Sequence, residues 1–275
     1  MSEGPRAKRP GFPVKLAPNS GVPTANKSIN PAWSAQTNSV QTRNAQVGLQ
    51  KPLPSGVGLD SQTVRSRMVD KLAKQGLQDT EVLAAMGLVE RHRFVDTALA
   101  NQAYEDTSLP IGLGQTISKP NVVARMLELL RQGALMQADG RMGRVLEIGT
   151  GCGYQAAVLS CVAKEVYSIE RLRGLHDKAR DNLRPLRLPN LHLLFGDGML
   201  GYPKGAPYAA IIAAAGGESV PAAWLDQLAV GGRVIAPTVT ANGQQALVVI
   251  DKTPQGLMQQ QFEAVHFVPL KSGIA

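Results

Sequence analysis

A glycine-rich segment in the middle of the chain has the residue types of a nucleotide-binding turn. Glycines at positions 149, 151 and 153 directly follow a short aliphatic run that predicts a buried strand, and Glu147 lies near the end of that run. Glycine lets the chain turn sharply and lets a ligand approach the backbone closely. In parallel sheets, ligands bind beyond the carboxyl ends of the strands. We therefore predict that residues 145–153 form the nucleotide-binding turn of an α/β domain.

The spacing of these glycines distinguishes two classes of nucleotide ligand. A dinucleotide-binding turn has the pattern G-x-G-x-x-G, but here the third glycine comes one position early and Tyr154 stands where the pattern needs glycine. Alternate glycines after an acidic residue suit S-adenosylmethionine better than NAD, because this form places no diphosphate on the helix N-terminus. We expect S-adenosylmethionine as co-substrate, with Glu147, Gly149 and Gly151 among the residues that bind it.

Acidic residues end the next two predicted strands. Glu170 closes the second strand about 20 residues after the turn, and Asp197 with Gly198 follows the third. A carboxylate at the first position can accept hydrogen bonds from both ribose hydroxyls, and one at the second can accept from the adenine amino group. The alternative is that Glu170 caps the following helix and Asp197 forms a turn. Suitable residues at three successive strand ends favour the cofactor interpretation.

Cysteine and histidine give no sign of metal or nucleophilic chemistry. The two cysteines, Cys152 and Cys161, have no metal-ligand spacing and make no disulfide framework. This usage suits a reducing cytosol. The histidines are spread over different predicted elements, at positions 92, 176, 192 and 266. We therefore predict no metal and expect structural or surface roles for these side chains.

The hydrophobic pattern predicts the elements that position these residues. From Arg144 onward, short aliphatic runs alternate with helical patterns, which favours a mostly parallel sheet covered on both faces. The predicted strands are 144–148, 165–169, 191–195, 208–213 and 233–236, and the predicted helices are 154–163, 172–183 and 221–229. Two further strands, 245–251 and 259–268, have no helix between them and are predicted to form an antiparallel edge pair.

Helical patterns also precede the glycine turn. Val64, Met68 and Leu72 share one helical face, Gly76 suits the helix end, and Asp79 suits the N-cap of a second helix. Further helices are predicted at 93–100 and from Lys119-Pro120 onward, and the segment 104–118 is too irregular for a helix and too rich in glycine for an ordinary strand. The predicted fold is a doubly wound α/β domain of the class I methyltransferase type, with helices on its N-terminal side.

The first 60 residues differ in composition from the rest of the chain. They contain eight prolines, no hydrophobic period, seven Lys or Arg and two acidic residues, so that +5 of the net charge of +8 lies here. Such a segment buries too little apolar surface to offset its ordering entropy. We predict a disordered basic extension at 1–60 and one domain at 61–275. The sequence predicts neither a secretory signal nor a transmembrane helix.

The most specific motif lies upstream of the glycine turn. Residues 109–120 read L-P-I-G-L-G-Q-T-I-S-K-P. This run resembles the signature L-P-I-G-x-G-Q-T-I-S-x-P of bacterial protein-L-isoaspartate (D-aspartate) O-methyltransferases, which methyltransferases in general lack. Further similarity to this family lies, in the expected order, at 91–96, 103–106, 145–154, 167–171, 196–198, 227–228, 231–233 and 267–270. The resemblance covers about residues 61–275.

The resemblance implies a reaction. The methyl group of S-adenosylmethionine would pass to the free α-carboxylate of L-isoaspartyl, and also D-aspartyl, residues in damaged proteins, which starts their repair. The family's active-site serine corresponds to Ser118, which we expect to bond the acceptor carboxylate, with Gln115, Thr116 and Ile117 lining the cofactor pocket. A carboxylate with a pKa of roughly 3.5 is already ionised at neutral pH, so no general base is needed. The alternative role of Ser118 is to cap the helix that begins at Lys119.

Departures from the family pattern fall near the predicted cofactor surroundings. Ala209 stands where the family usually has Asp, and Ala214-Ala215-Gly216 replaces its usual T-A-A. Glu90 stands where Pro is common. None of these positions coincides with Ser118 or with the predicted cofactor carboxylates.

Other functions stay compatible with the sequence. A methyltransferase acting on RNA or a small molecule would keep the glycine turn and both acidic residues, but it has no reason to keep Gln115–Ser118. A non-catalytic protein that binds S-adenosylmethionine would use the basic extension as an interaction arm. An NAD oxidoreductase is disfavoured by the glycine spacing. The partners we expect are damaged proteins and peptides, with no nucleic acid or membrane, and we expect a monomer in the cytoplasm.

Overall fold

The structure, a computed structural model, describes residues 62–275. In this range the α-helices are α1 (Gln62–Lys74), α2 (Thr80–Leu88), α3 (Pro120–Arg131), α4 (Tyr154–Val162), α5 (Arg173–Leu183) and α6 (Ala222–Gln227). The strands are β1 (Leu109–Gly112), β2 (Gln115–Ile117), β3 (Met142–Ile148), β4 (Ala163–Glu170), β5 (Leu191–Phe195), β6 (Tyr208–Ala213), β7 (Leu228–Val239), β8 (Gln245–Thr253) and β9 (Gly256–Val265). Short 3-10 helices lie at Arg91–Phe94, Thr97–Gln102, Arg184–Leu186, Gly198–Leu200 and Pro203–Gly205.

The main sheet of the described residues has the strand order β5-β4-β3-β6-β7-β8-β9. The pairs from β5 to β7 are parallel, and β8 and β9 add antiparallel pairs at one edge. The chain winds outward from β3 through β4 to β5 and then returns to the other side of β3 with β6. Ligands bind at such a reversal of winding. The predicted doubly wound sheet with an antiparallel C-terminal edge is confirmed.

Alternate residues of the central strands face opposite sides of the sheet. On β3, Val145 packs into the core formed with α1 to α4, whereas Leu146 packs into a second core with Trp224 of α6. On β6, Ala210 and Ile211 divide between the two cores in the same way. Because both faces are covered, these strands are apolar almost throughout, which is the pattern that the sequence shows.

The N-terminal helices begin and end where their capping residues predict, with one exception. Asp79 caps α2 by accepting hydrogen bonds from the amides of Glu81 and Val82, and Gly76 has a φ of +104° after α1. The predicted helix at 93–100 is wrong as drawn. Two 3-10 helices replace it, because the chain is extended at Val95 and Asp96 and the Asp96 side chain starts the second helix.

The glycine-rich segment before α3 is a short antiparallel hairpin. Strands β1 and β2 pair from Leu109 with Ile117 to Gly112 with Gln115. The tip turns through three successive residues of positive φ, at positions 112, 113 and 114. The glycines therefore form the turn between two short strands. The sequence pattern alone did not reveal these strands, because it showed only one irregular, glycine-rich segment.

At the C-terminal end, β8 and β9 form the predicted antiparallel pair. Strand β9 ends at Val265, three residues before the predicted boundary, because Val268 and Leu270 form backbone hydrogen bonds with Gly216 instead. The predicted helix 221–229 ends at Gln227, because Leu228 already belongs to β7. Within the described range no helix is both long and apolar enough to cross a membrane. The predicted disordered extension at 1–60 lies outside the described residues.

Candidate functional site

A cavity of about 470 Å³ opens at the carboxyl ends of β3, β4 and β6. Its lining comes from the hairpin and the residues after it, the glycine turn, the ends of β4 and β6, and a segment after β9. These contributions are 111, 113–118, 148–152, 169–172, 198, 214–215 and 268–271, with Val123, Tyr154, Gln155 and Leu175. Residues far apart in sequence therefore meet in one pocket, in the place that the topology predicts.

The predicted glycine turn forms one wall of this cavity, with Gly149 and Gly151 in the lining. Its glycines have positive φ values of +89°, +57° and +93° at positions 149, 151 and 153. A Cβ atom on Gly151 would lie 3.2 Å from Ile111 Cδ1 of the hairpin, and one on Gly153 would lie 2.7 Å from Leu183 Cδ1 of α5. The turn therefore needs glycine both for its backbone and for its close contacts.

Glu170 connects the turn to the end of β4 and lies in the cavity lining. One carboxylate oxygen accepts from the Gly151 amide at 2.9 Å and the other accepts from the Leu172 amide at 2.9 Å. The side chain thus holds the glycine turn against the start of α5. A carboxylate offers about four acceptor positions, so Glu170 can accept further hydrogen bonds from a ligand. The helix-capping alternative and the ribose-binding prediction are compatible.

Glu147 is fully buried and is not part of the cavity lining. Its Oε2 accepts from the Ser168 hydroxyl at 2.5 Å, and Ser168 in turn lies 2.6 Å from the Thr150 hydroxyl in the glycine turn. Burial raises the pKa of Glu147 to about 8, so the carboxyl is protonated at neutral pH. The structure therefore places Glu147 behind the turn, where hydrogen bonds through Ser168 link it to Thr150 of the lining.

Asp197 also lies outside this lining, whereas its neighbour Gly198 belongs to it. The Asp197 carboxylate accepts from the amides of Met199, at 2.9 Å, and Gly273, at 2.6 Å. It lines a second, more open cavity of about 750 Å³ on the side of α6. In the structure Asp197 therefore makes the turn that the sequence offered as an alternative, and its predicted contact with adenine stays a prediction.

Ser118 lies half-buried in the lining, directly after β2. Its carbonyl oxygen accepts from Nη2 of Arg91 at 2.7 Å. The suggested capping role is wrong, because Lys119 occupies the N-cap of α3 and the helix begins at Pro120 without a side-chain cap. Among the hydrogen bonds of residues 62–275, none involves the Ser118 hydroxyl. That hydroxyl is available to a ligand in the cavity.

The hairpin brings the other predicted residues to the same wall. Gln115, Thr116 and Ile117 all line the cavity. The hairpin is tied to α5 because Lys178 Nζ donates to the carbonyl of Ile111 at 2.7 Å. Because Leu172, the N-cap of α5, donates to Glu170, the same helix and its N-cap contact both the hairpin and the end of β4.

Sequence reasoning assigned no role to the segment 268–271, which closes the cavity. Gly216 donates to the carbonyl of Val268 at 2.9 Å and accepts from the Leu270 amide at 2.7 Å. The motif at 267–270 marked this segment without showing what it contacts.

The residues that depart from the family pattern lie in different places. Ala214 and Ala215 line the cavity, but Ala209 does not. Residues 62–275 hold no group of three or more His, Cys, Asp or Glu that could bind a metal ion.

Comparison with known proteins is consistent with this geometry. The family model described as protein-L-isoaspartate (D-aspartate) O-methyltransferase matches residues 63–275. A protein-L-isoaspartate O-methyltransferase of Methylibium petroleiphilum is 61% identical over 222 residues, which cover 80% of this chain and 81% of that protein. A protein of the same name from Burkholderia thailandensis is 49% identical over 272 residues, which cover 98% of this chain and 76% of that protein.

Two solved structures have folds similar to that of residues 62–275. A protein-L-isoaspartate O-methyltransferase superposes with a TM-score of 0.66 at 29% identity, over 76% of this chain and 67% of the other. A Plasmodium falciparum protein described as a β-aspartate methyltransferase, in complex with S-adenosyl-L-homocysteine, has a TM-score of 0.64 at 22% identity over 75% and 98% of the two chains. The second likeness concerns the fold alone.

Proposed function

The chain belongs to the protein-L-isoaspartate (D-aspartate) O-methyltransferase family, and we propose that its cavity at the carboxyl ends of β3, β4 and β6 is the site of methyl transfer. The activity of this family is the S-adenosylmethionine-dependent methylation of isoaspartyl residues in damaged proteins, which starts their repair. One observation carries the assignment of the site: Ser118 and Glu170, from two separate motifs, line the same cavity.

The residues in the lining suit S-adenosylmethionine. Glu170 keeps acceptor positions for the ribose hydroxyls after its two backbone bonds, and Gly149 and Gly151 let the ligand approach the main chain. Gln115, Thr116 and Ile117 would form the opposing wall. Glu147 would act indirectly by holding Thr150 through Ser168.

We assign adenine to the neighbourhood of Gly198 and Asp197. Gly198 lies in the lining, and its carbonyl is fixed by Nε1 of Trp224 at 2.8 Å. The amide of Gly273 already occupies one Asp197 oxygen. A hydrogen bond from the adenine amino group would therefore use a remaining acceptor position of that carboxylate.

The protein's task is to align two ligands and exclude water. S-adenosylmethionine supplies a methyl group on a positively charged sulfur. The acceptor carboxylate, with a pKa of roughly 3.5, is ionised without help from a base. Ser118 would hold the carboxylate by donating its free hydroxyl proton, and the apolar lining from Ile111, Ile117 and Leu175 would keep the pair dry.

The proposal is tested by methylation of an isoaspartyl peptide beside its normal aspartyl twin, with labelled S-adenosylmethionine and total RNA as a third acceptor. We expect label in the isoaspartyl peptide alone. Equal labelling of both peptides, or labelling of RNA, would contradict the proposal. S-adenosylmethionine binding without any methylation would support the non-catalytic alternative.

The role of Ser118 is tested in the same assay. Ser118→Ala removes a hydroxyl that makes no hydrogen bond within the described residues, so the fold should keep its stability. We expect kcat to fall by about tenfold to a hundredfold, as for the loss of one hydrogen bond to a charged group. Turnover equal to that of the unmodified chain would remove Ser118 from the reaction.

The partners and location follow from the same proposal. Damaged proteins and peptides are the substrates, and we propose that the enzyme acts on them as a monomer in the cytoplasm, without nucleic acid or membrane partners. The two cysteines support a reducing compartment, because both are free and Cys152 is buried. Sedimentation of the purified chain would test the monomer.

A further inference from the structure

Arg91 is a completely buried cation next to the proposed active site. Its side chain has 0% exposure, and within residues 62–275 no Asp or Glu forms an ion pair with it. Its Nη1 atom has no hydrogen-bond partner in the described part of the chain. Buried charges are normally paired, because an unpaired charge in the protein interior is costly. A charge kept here without a partner needs an explanation.

The other atoms of the Arg91 guanidinium join three parts of the structure. Nε donates to the carbonyl of Ala103 at 2.7 Å and Nη2 donates to the carbonyl of Ser118 at 2.7 Å. The guanidinium carbon lies 4.8 Å from the centre of the Tyr154 ring. Both Ser118 and Tyr154 line the cavity. Because the fork of donors is rigid and planar, it fixes the main chain that carries the Ser118 hydroxyl.

The charge is not cancelled by its other neighbours. Attraction from Asp106 acts without an ion pair, and the Asp106 carboxylate accepts the Asn121 amide at 2.9 Å. Burial lowers the pKa of Arg91, but an arginine side chain stays protonated in proteins. The positive charge therefore acts on whatever occupies the adjacent cavity.

We infer that Arg91 is a positioning residue for methyl transfer, whose guanidinium fixes Ser118 and whose unpaired charge makes this end of the cavity selective for an anionic acceptor. The inference rests on the proposed function, in which the acceptor is a carboxylate. It also predicts opposite effects on the two substrates. The charge attracts the acceptor carboxylate, but it repels the sulfonium of S-adenosylmethionine.

Two substitutions separate the effect of the Arg91 charge from that of its hydrogen bonds to the carbonyls of Ala103 and Ser118. Arg91→Met keeps much of the side-chain volume and removes the charge. We expect the KM for an isoaspartyl peptide to rise by about tenfold or more and kcat to fall, while S-adenosylmethionine binds as tightly as before or more tightly. Arg91→Lys keeps the charge but loses the planar set of donors. Its KM for the isoaspartyl peptide should therefore be close to that of the unmodified chain, whereas its kcat should stay low.

A purely structural role predicts a different result, and Arg131→Met provides the matched control. Arg131 is half-buried, with 9% of its side chain exposed, but it pairs with Asp79 at 2.7 Å and lies outside the cavity lining. This substitution should lower the melting temperature and leave both KM values unchanged. If Arg91→Met behaves like Arg131→Met, or weakens the binding of both substrates equally, the inference is wrong.

A measurement on the unmodified chain covers the case in which Arg91→Met does not fold. With nitrogen-isotope-labelled arginine, the slowly exchanging Arg91 guanidinium signals should shift when the isoaspartyl peptide binds, and should not shift with the aspartyl twin. Unshifted signals at saturation would overturn the inference. If the unmodified chain methylates no isoaspartyl peptide, the proposed function fails instead, and that outcome is visible before any Arg91 variant is compared.

Discussion

At the scale of single residues, Glu170 has both a structural and a ligand-binding task. Its two oxygens each hold one backbone amide, from Gly151 and Leu172. Glu170→Gln replaces one acceptor by a donor, so one amide and the ribose hydroxyls compete for the oxygen that remains. We expect the Kd for S-adenosylmethionine, measured by calorimetry, to rise by about tenfold or more. Exposed Glu218 provides the control, and a Glu170→Gln variant that binds as tightly as Glu218→Gln would contradict the ribose contact.

The buried carboxyl of Glu147 predicts how stability depends on pH. Its pKa is raised from an ordinary 4.5 to about 8 by burial, so the folded state holds this proton where the unfolded chain has released it. Its contribution to stability is therefore full below about pH 4.5 and is lost as pH rises toward about 8. Glu147→Gln stays neutral at every pH. Relative to the unmodified chain, its free energy of unfolding should increase by on the order of 1 kcal/mol per pH unit between about pH 5 and about pH 8.

Glu165 supplies the control of opposite sign. It is partly exposed, and although desolvation acts to raise its pKa, hydrogen bonds from Tyr167, Arg144 and His192 lower the pKa overall. Its contribution to stability is present at neutral pH and is lost in acid. Glu165→Gln should therefore lose stability relative to the unmodified chain as pH rises. Urea unfolding at several pH values measures both variants, and a Glu147→Gln curve parallel to that of the unmodified chain would contradict the raised pKa.

At the scale of elements, the entry into α4 depends on a contact that only glycine allows. Gly153 has a φ of +93°, and a Cβ atom there would lie 2.7 Å from Leu183 Cδ1 of α5. Gly153→Ala combines backbone strain with overpacking, and we expect a loss of about 2–5 kcal/mol in the free energy of unfolding. Gly243→Ala has a similar φ of +78° but open space around the new methyl group. It should lose only about 1–2 kcal/mol, and equal losses in urea unfolding would show that the helix contact is unimportant.

The elements differ in how well the sequence predicts them, for physical reasons. β5 and β6 have the predicted bounds because each is a mostly apolar run of strand length between turn residues. The prediction of a helix at 93–100 is wrong because the spacing of apolar side chains gives no information about the extended backbone at Val95 and Asp96. The same limit applies to the site. Residues at strand ends could be predicted from topology, whereas the closing segment 268–271 depends on contacts with Gly216 that no periodicity records.

At the scale of the whole molecule, the carboxyl ends of the parallel strands bring together most of the motifs that the sequence indicated for chemistry. The hairpin, the glycine turn and the end of β4 each contribute residues from a different element. Helix α5 links them, because Lys178 holds the hairpin and the first turn follows Glu170. The cavity lining lies between residues 111 and 271, and Arg91 reaches it from outside that range through the carbonyl of Ser118.

The predicted domain boundary implies that residues 1–60 are dispensable for methyl transfer. Helix α1 begins at Gln62, and the family model matches residues 63–275. Removing residues 1–60 takes away +5 of the net charge of +8 and leaves the cavity-lining residues of the range 62–275 in place. We expect kcat/KM for an isoaspartyl peptide to stay within about twofold of the full chain. If the basic extension instead attracts acidic substrates, the truncated chain will show a raised KM for an acidic peptide at low salt. This difference from the full chain would disappear at about 1 M salt, where charges are screened within about 3 Å. A loss of activity that salt does not remove would instead place part of the domain before residue 61.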